Sequence, residues 1–175
     1  MIDLETYLKY NDDSDLYASH EEDIRDYNRN LVEKYPWLRI RVWNPENKSY
    51  EKDTDFLTTW LDSIPSGWRL AFSKQMCDEI QAELERTNYV DDYVVLDVKE
   101  KWARLDWSSG SIPSDSKLFD IIDKYCDMSA KLCHICGKKA FWRTTGYILP
   151  YCDECAHKAI TYTSKLGWNF VEIED

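Results

Sequence analysis

A chain of 175 residues, 43% of them hydrophobic and with eight tryptophans and twelve tyrosines, has enough apolar and aromatic area for a core, which excludes disorder. Its formal charge of −11 repels phosphate backbones at long range and favours basic partners or simple solubility. The opening stretch MIDLETYLKYNDD is acidic and lacks an apolar run, so no signal peptide or membrane anchor is expected, and the expected setting is cytoplasmic.

Residues 1–30 hold nine carboxylates against Lys9, Arg25 and Arg29. The plain expectation for this stretch is a solvated face; the sharper one is a surface that imitates DNA phosphates or caps a basic partner. On the sharper view, removing residues 1–19 costs partner binding more than stability. Within 20–35, Ile24, Tyr27, Leu31 and Tyr35 form one helical stripe with acids in the first turn, ended by Pro36. PWLRIRVWNP then alternates Leu38, Ile40 and Val42, as a strand does. A second helix is expected over 67–87, carrying Trp68, Phe72, Met76, Ile80 and Leu84, with Asn88 closing it. Two strands follow, near 93–98 and 102–108. Val94, Leu96 and Val98 share one face of the first, and Leu105 and Trp107 share one face of the return. A third helix, capped by Ser114, presents Leu118, Ile121, Ile122, Tyr125, Met128 and Leu132 and runs straight into Cys133. Cys77 and Cys126 sit on these stripes and read as small core residues.

The remaining four cysteines form two C-x-x-C pairs, Cys133 with Cys136 and Cys152 with Cys155, separated by fifteen residues. In a reducing compartment this reads as a metal site, because a C-x-x-C turn delivers two thiolates at the separation a tetrahedral Zn2+ requires. Four thiolates leave no open position for water, so the zinc is expected to be structural. Gly137 suits a tight knuckle, AFWRTTGYILPY a short hairpin, and CDEC the start of a helix; this order resembles a treble-clef zinc finger. Lys138, Lys139, Trp142 and Arg143 make this the one basic part of the chain and a candidate nucleic-acid surface. Zinc with four thiolates carries a formal charge of −2, however, so any such binding is expected to be weak and salt-sensitive.

Other chemistry finds little support. Neither C-x-x-C has the βαβ setting of a thioredoxin-type redox pair. The histidine pair and asparagine of an HNH-type nuclease are missing between the cysteine pairs. His20, Glu22 and PYCDEC match only fragments of a zinc deaminase. No Walker-A loop, dinucleotide-binding glycine motif or nucleophile elbow occurs. His134 and His157 read as exposed loop and helix residues. An enzyme reading would rest on a pocket among Trp60, Trp68, Trp102 and Asp97 or Glu100, against the simpler expectation of an aromatic core with surface acids.

SIPSGWRLAF, VKEKWARLDW and CHICGKKAFWRTTGYILPYCDEC together resemble a family of small uncharacterised proteins from bacterial genomes, phages and prophages. The similarity spans residues 35–156. The chain departs from the family's pattern at Ala103, where glycine is expected, and in its long acidic start. The resemblance implies a bacterial or phage setting, in which inhibition of a host defence protein is a natural role. The combined expectation is an α+β fold, a small antiparallel sheet covered by helices. It comprises an acidic domain over 1–132 and a packed zinc module over 133–175. The chain is expected to bind a basic protein partner without catalysis, with nucleic-acid binding through the module as the alternative.

Overall fold

The computed structural model describes residues 1–173, so Glu174 and Asp175, the end of the expected zinc module, lie outside the described residues. The fold mixes helices with small antiparallel sheets, and the strands divide into three separate sheets rather than one. The acidic start forms α1 (Leu4–Asn11), α2 (Ser14–Ser19) and α3 (Glu21–Lys34). Asp3 and Asp13 cap the first two helices, accepting the backbone N–H groups that a helix start leaves unpaired. The expected helix over 20–35 is therefore present, but the expected solvated face is only half of the segment. Tyr7, Leu8 and Ile24 are buried in a small cluster of their own.

Pro36 begins a short 3-10 turn over Pro36–Leu38, because proline presets the helical φ and its missing N–H is no loss at a first turn. This corrects the first half of the strand expected there, since a strand forms only from Arg41 on. Leu38 is buried in the turn, while Val42 is exposed on β1 (Arg41–Asn44), which pairs with β2 (Ser49–Lys52). The second helix is continuous in space but not in winding: α4 (Ser66–Trp68), a π-helical turn over Arg69–Ser73, then α5 (Lys74–Arg86). Apolar residues spaced strictly by four precess around an ordinary 3.6-residue helix, and a wider π turn absorbs part of that drift. All five stripe residues, Trp68, Phe72, Met76, Ile80 and Leu84, are buried, and Asn88 ends the helix at φ +51°.

The hairpin of β3 (Val95–Lys101) and β4 (Arg104–Ser109) packs on α6 (Leu118–Ser129), which also lies against α5. A register shift between Val95 and Asp97 places Val95 and Val98 inward and leaves Leu96 outward, so the expected Val94, Leu96, Val98 face does not form. Leu105 and Trp107 do point inward, and Trp37 meets both Tyr93 and Trp107 edge-on at 5.9 Å. α6 starts at Leu118 rather than near Ser114. The carboxylate of Glu83 accepts the Lys117 N–H at 2.6 Å and supplies the cap from the neighbouring helix.

Two satellite clusters flank this main core. The N-terminal one is held by polar groups. Asp62 accepts the Tyr7 hydroxyl at 2.8 Å and pairs with Arg69 at 2.5 Å, and Asn28 donates to Tyr7 and to the Phe56 and Leu57 carbonyls. The Arg69 side chain is 1% exposed and lies over the Tyr7 ring at 4.8 Å. Removing residues 1–19 would therefore strip a buried ion pair of its cover, so such a truncation carries a stability cost of its own. No helix among the described residues is long and apolar enough to cross a membrane.

Candidate metal centre

The C-terminal cluster is built from the cysteines outward. α6 ends at Ser129, whose hydroxyl accepts the Leu105 N–H at 2.7 Å and donates to the Cys126 carbonyl at 2.6 Å, fixing where the chain leaves the body. Four residues later the knuckle closes. The Cys133 N–H donates to the Lys138 carbonyl at 2.7 Å, and the Gly137 N–H donates to the Cys133 carbonyl at 2.9 Å. Gly137 sits at φ +74°, a conformation that a side chain would strain.

A hairpin follows, with β5 (Trp142–Thr144) paired to β6 (Pro150–Tyr151). α7 (Asp153–Lys165) then starts with Cys152 at its N-cap position and Cys155 in its first turn. A further strand, β7 (Phe170–Glu172), returns to the other side of β5 and was not expected. A strand of three residues is too short to show an alternating pattern.

The four sulfurs lie within 4.8 Å of one another, with Cys136 and Cys152 at 3.6 Å. A tetrahedron of Zn–S bonds of about 2.3 Å has edges of about 3.8 Å. Every cysteine of the chain is free of disulfide bonding, so all four thiols remain as donors. This donor set fits, and it could hold a metal ion such as zinc. Burial pushes the Cys155 thiol well above its ordinary range, so loading a metal must displace protons and weakens as pH falls.

The module is fastened to the body where two glycines abut. The Gly67 N–H donates to the His134 carbonyl at 2.9 Å. A Cβ on Gly67 would lie 2.4 Å from the Cys133 carbonyl oxygen and 2.6 Å from the Cys136 and Gly137 nitrogens. One on Gly137 would lie 2.5 Å from the Gly67 carbonyl oxygen. The adjacent Trp68 donates its indole N–H to the Leu132 carbonyl at 3.0 Å. The Gly-Trp pair in SIPSGWRLAF thus has a physical reason: glycine permits backbone contact with the knuckle, and tryptophan anchors the strand entering it.

His157 is exposed on α7, as expected, but His134 is not an open loop residue. Its ring packs edge-on against Tyr151 at 4.6 Å, its Nε2 is buried without a partner, and burial pushes the imidazole down to about 4. Two of the candidate nucleic-acid residues are engaged by the module's own carboxylates. Lys138 pairs with Glu154 at 3.2 Å, and the Trp142 indole donates to Asp153 at 2.7 Å. Lys139 lies over the Phe141 ring at 5.2 Å, and Arg143 is exposed on β5.

The proposed aromatic pocket does not assemble. Trp68 is fully buried, Trp60 lines a cavity with Arg41 and Val94–Leu96, Asp97 pairs with Lys99, and Trp102 stands exposed at the β3–β4 turn. The Arg69–Asp62–Tyr7–Asn28 network was missed altogether, because its members lie up to 62 positions apart and no local spacing marks them. No family model, curated protein or solved structure matches this chain, so the metal centre stands on its own geometry.

Proposed function

We propose that the chain is a non-enzymatic protein-binding factor, braced by one structural Zn2+ on Cys133, Cys136, Cys152 and Cys155. The observation that carries this reading is the convergence of four soft thiol donors, enough to fill every corner of a tetrahedral site. A centre closed in this way stiffens the chain and offers a substrate no coordination position. The order of knuckle, hairpin and helix supports a treble-clef description of the module.

With the metal assigned to bracing, interaction falls to the surface, and a charge of −11 favours a basic protein. The resemblance to small phage-borne proteins directs the search toward host proteins that handle nucleic acid. Affinity capture from bacterial lysate with the zinc-loaded chain, with and without nuclease, tests the reading. A stoichiometric protein retained after nuclease treatment is expected. Loss of all partners on nuclease treatment would overturn it in favour of the module's exposed Arg143 and Lys139.

A further inference from the structure

The β3–β4 hairpin turns through Trp102 and Ala103, both with positive φ, +57° and +64°. Two-residue turns of this kind favour Asn-Gly, and the left-handed region costs an ordinary residue about 1–2 kcal/mol. Trp102 is nevertheless 75% exposed, so neither backbone comfort nor burial accounts for a tryptophan here. Strain held at an exposed aromatic points to use.

Beside this turn lies an open cleft of about 440 Å³ between the body and the metal module. That volume falls within the roughly 300–1,000 Å³ of ligand sites. Asp12, Asp62 and Glu100 line it together with Tyr147 and apolar Ile64 and Leu149, and among the described residues no lysine or arginine does. Asp62 is already neutralised by Arg69, whereas Asp12 and Glu100 have no basic partner among the described residues. The Glu100 carboxylate joins the three features: one oxygen accepts the Ala103 N–H at 2.8 Å and the other accepts the Tyr147 hydroxyl at 2.5 Å. Glu100 therefore ties the turn that carries the exposed Trp102, through the Ala103 backbone, to the exposed Tyr147 of the cleft.

We infer that this edge is the docking site for an arginine-bearing basic segment of a protein partner, with the guanidinium seated in the cleft between Asp12 and Glu100 and flanked by Trp102. Arginine rather than lysine fits, because a planar guanidinium both stacks on aromatic faces and engages carboxylates with a fork of donors. The site rests on the protein-binding reading above and gives it a place and a partner chemistry.

The test is fluorescence anisotropy of labelled hexa-arginine and hexa-lysine peptides with the full zinc-loaded chain at about 0.15 M salt. Hexa-arginine is expected to bind more tightly. Trp102→Ala and Asp12→Asn are each expected to weaken it about fivefold or more. Glu46→Gln, on the β1–β2 turn outside the cleft, should change binding less than about twofold. Trp102 and Asp12 are both exposed, and a thermal melt of each variant confirms folding. Equal sensitivity to Glu46→Gln would overturn the cleft and leave a diffuse acidic surface. No binding of either peptide would overturn the arginine site itself, while nuclease-resistant capture of a protein would still uphold the broader reading.

Discussion

The two ends of the chain attach to the same core by different means. At the N-terminal end, Tyr7, Leu8 and Ile24 form a cluster too small to hold three helices by apolar burial alone, and a buried network of Asp62, Arg69, Tyr7 and Asn28 clamps it. At the C-terminal end, a cluster centred on Cys133, Tyr151, Cys152, Cys155 and Ala156 is also small, and there the four thiols converge on one point. Satellite cores of this size need a fastener besides hydrophobic area. One end uses an ion pair whose desolvation must be matched by good geometry, and the other uses thiols that a metal can bind together.

The comparison is sharpest when each fastener is removed. Metal removal by chelation, or Cys152→Ser, is expected to have the largest effect. A structural site of this kind is worth roughly 10 kcal/mol of apparent folding free energy, so the module's melting transition should disappear from calorimetry. Asp62→Ala comes next. It leaves Arg69 charged and buried, costs about 3–5 kcal/mol and lowers Tm by about 6–20 °C at roughly 2–4 °C per kcal/mol. Loss of less than about 1 kcal/mol would show that the N-terminal helices hold without their clamp.

Glu83 gives a third, pH-dependent effect in the main core. Hydrogen bonds from Arg86 and from the Lys117 backbone hold its carboxyl down at about 2, against an ordinary 4.5. The stability it contributes is present above pH 4.5 and is lost as pH falls toward about 2. Tm measured against pH should therefore fall through that window, and Glu83→Gln should flatten the fall while lowering Tm at neutral pH by about 1–3 kcal/mol equivalent. The smallest effect has the opposite sign. Trp102→Gly relieves the left-handed turn and should stabilise the hairpin by up to about 1 kcal/mol in urea unfolding, while weakening the arginine peptide.

The difference between the ends also explains what could be read from the residues alone. The cysteines lie three positions apart within each pair and are chemically unmistakable, so the knuckle, hairpin and helix were all expected in the right order. The α5 and α6 stripes were likewise readable because their period is local. The N-terminal clamp joins Tyr7 to residues 55 and 62 positions away, and polar residues at such distances carry no periodic mark. The π turn and the register shift in β3 were hidden for a related reason. Each breaks the ideal period on which a reading of the sequence depends. Ala103 is a partial exception. Glycine was expected there from the resemblance, and the positive φ supplies the reason.

The most direct test of the bracing role is amide hydrogen exchange of the full chain with and without a zinc chelator. Chelation should strip protection from the Cys133, Gly137 and His134 amides, from β5 and β6, and from Gly67 at the abutment, while α5 and α6 stay protected. Unchanged protection across the module after complete metal removal would contradict the account, because the thiols would then not be the fastener.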